Sequence, residues 1–340
     1  MKGLKVVLRD AQKAKEILNS RKLMADYLII KEKASIIFPV KDSVKAKKIV
    51  KNSKIVEKKF KKIEKPKTLR EAVEKRLSEK ELGLLKTSFD IVGDIAILEV
   101  PKELEKKEQI LGEALIKINP KIKTVLRKAG GHLGIFRMQN MKFLAGKKTK
   151  ETIHRENGVS IRINVEAVYF SARLSTERKR IAELVQPGEK VLVMFSGAAP
   201  YVCVIAKKTK AREVVGIEIN PEGHKYGLEN LKLNKITNAR LYLGDVKKIV
   251  PEVNEKFDRI LMPLPKSAEN FLETALSAAK KGTIIHFYDF LEDKDIPKKT
   301  IEKIKNACKK ANLKLKVLSW VKCGQSAPRT HRICVDFEII

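Results

Sequence analysis

From about residue 175 onward the chain repeats one pattern. A short apolar run leads into a turn, and the turn into a longer stretch with apolar residues at every third or fourth position. VLVMF (191–195), EVVGIEI (213–219), ARLYLGD (239–245), FDRILMPLP (257–265) and GTIIHFYDF (282–290) read as strands. TERKRIAELV (176–185), PYVCVIAKK (200–208), NPEGHKYGLENLKLN (220–234), AENFLETALSAAKK (268–281) and TIEKIKNACKKAN (300–312) read as helices between or beside them. KLKVLSWVK (314–322) and RICVDFEI (332–339) are two further strands with no helix separating them. Seven strands alternating with helices predict a doubly wound, mostly parallel α/β sheet, and the last pair predicts an antiparallel edge.

Upstream the pattern differs. Residues 1–60 alternate short strands (LKVVL, 4–8; a hairpin in YLIIKEKASIIFPV, 27–40) with helical stretches such as DAQKAKEILNSRK (10–22), and predict a small α/β module. A polar, basic linker with Pro66 covers residues 61–70. Residues 71–170 predict an α+β domain. TLREAVEKRLSEKELGLL (68–85) and KELEKKEQILGEALIKI (102–118) are helical, and FDIVGDIAILEV (89–100) is a strand pair about Gly93-Asp94. TVLRKA, GIFRMQNMKFLAG, ETIHRENG and VSIRINVEAVYF follow as a mostly antiparallel sheet. Residues 171–340 hold the α/β sheet.

Charge changes this picture most. Seventy-three Lys and Arg face 41 Asp and Glu, a formal net charge of +32. An ion-pair surface built for heat would balance its signs, so the excess points to a polyanionic partner, nucleic acid first. The preponderance of Lys over Arg suits phosphate neutralisation better than base reading. No uncharged apolar run approaches the ~18 residues a membrane span needs, and no signal peptide is visible. Cys203, Cys308, Cys323 and Cys334 have no C-x-x-C spacing, which suits a reducing cytosol and argues against a zinc site or a disulfide framework. The five histidines are scattered; His286 reads as a core residue and no metal is assigned.

In an open α/β sheet, ligands sit beyond the carboxyl ends of the strands. Four candidate loops lie there. Ser196-Gly197-Ala198-Ala199-Pro200 is a small-residue turn with one glycine. Glu218 stands about 20 residues beyond Gly197, the spacing of a carboxylate that accepts from the ribose hydroxyls of an adenosine-type cofactor. Asp245 follows Gly244 and could accept from an adenine amine; Pro263 and Pro265 stiffen the fourth loop. A pyrophosphate would call for more glycine than this first loop carries. S-adenosyl-L-methionine has no phosphate, so the residues favour a methyltransferase over a dinucleotide oxidoreductase.

VYFSARLSTERKRI (168–181), FDIVGDIAILEVP (89–101), GIFRMQNMKFLAG (134–146), ETIHRENG (151–158), IEINPEG (217–223) and MPLPK (262–266) together resemble the archaeal and eukaryotic tRNA (guanine-N1)-methyltransferase family. That family modifies the guanine 3′ to the anticodon, position 37. The resemblance runs from about residue 89 to the end; the first 60 residues match only in size and element order. It implies a Rossmann-like methyltransferase domain preceded by an RNA-recognition domain and a small tRNA-binding module. It further implies S-adenosyl-L-methionine as cofactor, tRNA as partner, and a monomer.

Guanine N1 carries a proton, so attack on a sulfonium methyl needs a base, and charge developing on O6 needs a donor. The resemblance puts these roles on Glu177 and Arg137. Read alone, Glu177 is a surface charge on an amphipathic helix. The resemblance puts cofactor contacts on Arg178, Phe195, Gly197, Glu218, Ile219, Asp245, Val246, Pro263 and Pro265, and the target nucleotide against Tyr169 and Arg173. The sequence departs from the family pattern where Val193 replaces an acid, Ala199 a glycine, Pro263 an asparagine and Ala172 a proline. Two other readings stay open: a wyosine-pathway enzyme transferring an aminocarboxypropyl group or methylating carbon, and a non-catalytic RNA-binding relative.

Overall fold

The computed structural model describes residues 1–62, 66–131, 134, 136, 138–264 and 266–340. The chain divides into two compact units, Met1–Lys67 and Thr68–Ile340. The first is a four-stranded antiparallel sheet in the order β2-β3-β1-β4, from β1 (Lys2–Val7), β2 (Ile30–Lys31), β3 (Ser35–Pro39) and β4 (Ser53–Glu57). Helix α1 (Leu8–Ser20) buries Ala11, Ala14 and Leu18, a helical stripe that closes over Leu4, Val6 and Phe38. Helix α2 (Ser43–Ile49) starts where the Asp42 carboxylate accepts from the Val44 and Lys45 amides. The Leu28 amide donates to the Lys61 carbonyl, so the chain as far as residue 62 belongs to this unit.

In the second unit the sequence 68–85, expected as one helix, forms two short ones, α3 (Leu69–Val73) and α4 (Glu79–Leu84). The break falls at Ser78, whose hydroxyl and the Glu81 carboxylate cap each other's backbone. This capping box starts a new helix more favourably than the old one continues. A four-stranded sheet follows in the order β5-β6-β7-β8, from β5 (Phe89–Val92), β6 (Ile95–Leu98), β7 (Thr124–Lys128) and β8 (Met141–Gly146). It is mixed: β6 and β7 run parallel, because α5 (Glu108–Ile118) crosses over between them. Gly112 lets α5 press on this sheet, since a Cβ there would lie 2.8 Å from that of Leu144.

Residues 151–164 do not join that sheet. They form a separate hairpin, β9 (Glu151–Glu156) and β10 (Val159–Asn164), turned by Asn157 and Gly158 at φ 44° and 75°. Helix α6 (Ser175–Leu184) then leads into the large sheet.

That sheet has seven strands: β11 (Lys190–Met194), β12 (Glu213–Glu218), β13 (Ala239–Leu243), β14 (Phe257–Met262), β15 (Ala279–Glu292), β16 (Leu315–Ala327) and β17 (Thr330–Ile339). Their order is β13-β12-β11-β14-β15-β17-β16. The first five are parallel and β17 and β16 antiparallel. Helices α7 (Pro200–Lys208), α8 (Pro221–Leu233), α9 (Val246–Val253), α10 (Leu272–Ser277) and α11 (Lys298–Lys310) cover its faces. Strand β15 begins at Ala279, inside the expected helix, which shortens α10.

Two asparagines one turn apart, Asn230 on α8 and Asn234 at its C-terminal cap, dress the edge of the hairpin. The Asn230 carboxamide accepts from the Arg162 amide (2.7 Å) and donates to the Arg162 carbonyl (3.0 Å). Asn234 does the same at Ser160, at 2.8 and 2.7 Å. Asn230 also donates to the carbonyl of Ala198 at 2.9 Å, tying hairpin, helix and the loop after β11 together. Among the described residues no helix is long and apolar enough to cross a membrane.

Candidate active site

Strand order reverses between β11 and β14, and there the loops after β11, β12, β13 and β14 open onto a cavity of about 530 Å³. The first loop is built from left-handed backbone: Phe195, Gly197 and Ala199 have φ of 59°, 56° and 61°. Only glycine takes this region without strain, so the aromatic and the alanine hold it because the fold imposes it. Ala199 is buried and begins α7, with Pro200 in the first helical turn. A Cβ built on Gly197 meets only the Tyr169 carbonyl at 3.8 Å, so the space above this glycine is open.

Glu218 ends β12 beneath that space. One carboxylate oxygen accepts from the Gly197 amide at 2.6 Å and the other from the Asn220 amide at 2.8 Å. Burial raises its pKa above the ordinary value, against the backbone amides that favour the charged form. A carboxylate has about four lone-pair sites, so acceptor capacity remains for a ligand hydroxyl. Asp245 caps α9 through the Lys247 amide (2.9 Å) and lines the same cavity with Val246. Ile219, Pro263 and Phe195 line it too, and the Phe195 ring meets Phe271 edge to face at 4.9 Å. The loops bring these residues together from four strands. Pro265 and Arg137 lie outside the described residues.

Tyr169 and Arg173 belong to a second opening beside the first, which shares Tyr169 and Phe170 with it. The Tyr169 hydroxyl accepts from Arg332 at 3.1 Å, and Arg173 pairs with Asp90 at 2.6 Å. Arg178 lines the cavity with its guanidinium 5.1 Å from the Phe170 ring centroid. It makes a two-bond ion pair with Glu156 of the hairpin and donates to the Ser171 carbonyl at 3.0 Å.

Glu177 is 5% exposed and sits behind the cavity wall, away from the surface its amphipathic pattern suggested. Its carboxylate accepts from Arg180 at 2.7 and 2.8 Å and from the Tyr288 hydroxyl at 2.6 Å. Tyr288 in turn accepts from Tyr201, whose ring lines the cavity (3.3 Å between the two oxygens). Arg180 continues to Asp336 at 2.7 Å, Asp336 to His286 at 2.6 Å, His286 to Arg259 at 2.8 Å, and Arg259 to Glu189 at 2.7 and 2.9 Å.

This chain of side chains was not anticipated, although its signal was present. Arg259, His286 and Asp336 each stand directly beside an apolar neighbour within the buried part of a strand. A guanidinium only donates, so His286 must accept at Nε2 and carry its proton on Nδ1, which makes it neutral. Burial lowers its pKa, in the same direction. His286, Cys334 and Asp336 offer donor atoms within 4.8 Å of one another, the spacing of a metal site. Those atoms are already committed: Nδ1 to Asp336, and the Cys334 thiol to the same carboxylate at 3.2 Å.

A doubly wound sheet whose switch point carries a strained small-residue loop over a buried acid defines a Rossmann-like enzyme of the methyltransferase kind. Known proteins sharpen this. The TRM5/TYW2 methyltransferase domain matches residues 152–318, and the TYW2 N-terminal domain matches residues 69–149. The tRNA (guanine(37)-N(1))-methyltransferase Trm5b of Pyrococcus abyssi is 40% identical over 255 residues, 75% of this chain and 76% of that protein. The complex structure of aTrm5 and tRNALeu superposes with a TM-score of 0.75 at 32% identity, covering 100% of both chains. The tRNA(Phe) (4-demethylwyosine(37)-C(7)) aminocarboxypropyltransferase of Pyrococcus horikoshii is 32% identical over 272 residues, 80% of this chain and 96% of that protein. The chain belongs to the TRM5/TYW2 methyltransferase family.

Proposed function

We propose that this protein transfers the methyl group of S-adenosyl-L-methionine to N1 of guanine 37, the base 3′ to the anticodon of a tRNA, and works as a monomer. The observation that carries this reading is a cavity at the reversal of strand order next to a buried carboxylate. Glu177 stands one residue from Arg178, which lines that cavity. The likeness to Trm5b points the same way, and the net charge of +32 suits a polyanionic substrate.

The residues present fit the cofactor. Glu218 keeps acceptor capacity for ribose hydroxyls, Asp245 lies where an adenine amine would be met, and the open space over Gly197 admits the rest of the molecule. Arg178, Phe195, Ile219, Val246, Pro263 and Pro265 complete its surroundings in this reading. When bound, S-adenosyl-L-methionine supplies an electrophilic methyl group. The protein's own part is to orient the base and manage its proton. Glu177 accepts the N1 proton, Arg137 donates to O6 as charge develops there, and Tyr169 and Arg173 hold the target nucleotide. The base reaches the site by leaving its stack. Residues 1–60 hold the tRNA body, the basic stretch that joins the two compact units acts as a linker, residues 71–170 support the anticodon stem-loop, and residues 171–340 carry the chemistry.

A second reading, transfer to a wyosine-type base, draws on Pro263 at the asparagine position of the resembled family and on the aminocarboxypropyltransferase relative. Incubation of unmodified tRNA with cofactor labelled in the methyl group or in the aminocarboxypropyl chain, followed by nucleoside mapping, separates the two. N1-methylguanine is the expected product, and any other modified nucleoside rejects the first reading. Calorimetry showing no binding at millimolar S-adenosyl-L-methionine would leave only a non-catalytic RNA-binding role.

A further inference from the structure

We propose that Tyr288 is a positioning residue for the transfer reaction, acting through Glu177 by fixing which carboxylate lone pair receives the substrate proton. This rests on the reading of Glu177 as the base.

Count the acceptor sites on that carboxylate. Oε1 receives two donors, the Tyr288 hydroxyl at 2.6 Å and Arg180 Nη2 at 2.7 Å, while Oε2 receives Arg180 Nε at 2.8 Å. Among the described residues three of about four lone-pair sites are filled, and the one left is on Oε2. A base held this way has one place to take a proton and one orientation in which to offer it. Without Tyr288 a second site opens on Oε1, and the carboxylate loses one of the two holders, with Arg180, that keep it from turning about its terminal bond.

The direction of each hydrogen bond is forced. An ionised carboxylate only accepts, so the Tyr288 hydroxyl donates to it, and Tyr201 must then donate to Tyr288. Tyr288 is 1% exposed, and burial raises its pKa well above the ordinary phenol value, which keeps the donor proton in place. The other holder, Arg180, is itself anchored by Asp336, and Asp336 by Ser319 (3.0 Å) and His286. His286 and Tyr288 are two residues apart on β15 and so share a face; they pair in register with Asp336 and Cys334 of β17. The clamp on Glu177 is thus set by two rigid, adjacent strands.

Tyr288→Phe keeps the ring and removes only the hydroxyl. The test is single-turnover methyl transfer to unmodified tRNA, with the dissociation constants for tRNA and S-adenosyl-L-methionine measured alongside. The expected result is a rate at least about tenfold lower, in line with a hydrogen bond to a charged acceptor, with both dissociation constants within about twofold of wild type. In a Glu177→Gln background, which is itself slow, adding Tyr288→Phe should change the rate less than about twofold, because the two act as a unit. Arg180→Lys, which keeps the charge and loses the two-bond geometry, should behave like Tyr288→Phe; it carries the test if the phenylalanine variant does not fold. A wild-type rate in the folded single variants, or full multiplication of their effects with Glu177→Gln, overturns the inference and leaves the base reading standing. A normal rate in Glu177→Gln itself removes the base reading, and the inference with it.

Discussion

The loop after β11 and the buried chain behind Glu177 grow from the same sheet, yet they use polar groups in opposite ways. At the loop, polar capacity is left over: Glu218 keeps acceptor capacity beyond its backbone amides, Gly197 faces open space, and three residues hold left-handed backbone angles. In the chain from Glu189 to Glu177, the side chains are bonded to one another, and Arg259, His286 and Asp336 are at most 3% exposed. Unspent capacity suits a region that must meet a ligand, and spent capacity suits one that must not move. A buried ionic chain is weak evidence for added stability but is costly to break.

That contrast can be broken at either end. The largest effect is expected in the chain. Arg259→Met leaves Glu189 and His286 without their partner and should lower the unfolding free energy by about 3–5 kcal/mol, read by chemical denaturation. A loss below about 1 kcal/mol would mean the chain is surface-like in energy. Glu218→Ala should do the reverse. Calorimetry should find S-adenosyl-L-methionine bound about 10- to 100-fold more weakly, with stability lowered by no more than about 1 kcal/mol. Equal losses of stability from both variants would erase the distinction.

Acid separates the two regions next. The folded pKa of His286 is lowered from 6.5, chiefly by burial, so the unfolded chain takes up this proton first as pH falls. His286 therefore contributes stability that is full above about pH 6.5 and declines below it, by up to about 1.4 kcal/mol per pH unit until the folded form titrates. Asp336 follows lower down. Burial opposes its ionisation, but His286 and Arg180 hold its pKa below the 3.8 of a free carboxyl, so its share is lost only as pH falls under that value. Thermal melting from pH 8 to 4 should show the first decline, and His286→Asn should flatten it. The smallest effect belongs to the loop. Ala199→Gly releases a left-handed alanine while giving up a buried methyl, and should stabilise by about 0.5 kcal/mol. A destabilisation would show that the methyl packing outweighs the backbone strain.

Much of the fold was legible because it follows from period and spacing. Strand 191–195 is apolar throughout and 213–219 is apolar between its two glutamates, as strands buried on both faces must be, and the helices between them keep a helical stripe. Glu218 could be read from its distance to Gly197, since one turn of a βαβ unit fixes that distance locally. The long helix expected at 68–85 failed for an equally local reason, a capping box at Ser78. The hairpin at 151–164 was misplaced for a non-local one. Its edge is satisfied by Asn230 on α8 and Asn234 at the end of that helix, 68 and 74 residues along the chain, and no pattern within the hairpin announces that.

Glu177 shows where sequence reasoning stops. An acidic residue on an amphipathic helix ordinarily faces water, and its own neighbourhood gave no other indication. Its burial depends on Tyr288 from β15, and on Arg180, which Asp336 of β17 holds. These partners lie 111 and 156 residues along the chain from the side chains they bond, and meet them only because the antiparallel edge returns beside β15.

The sequence by itself determined the alternating sheet, the small-residue loop, the acid that follows it and the excess of positive charge, because each is a matter of local period, spacing or composition. Only the tertiary structure decided that Ala199 and Phe195 are held in glycine's backbone region, that His286 is a neutral link in a polar chain, and that Glu177 is clamped from two sides by Tyr288 and Arg180. Those are properties of contacts between distant strands, and a carboxylate's surroundings are set by what folds against it, not by the residues beside it in the chain.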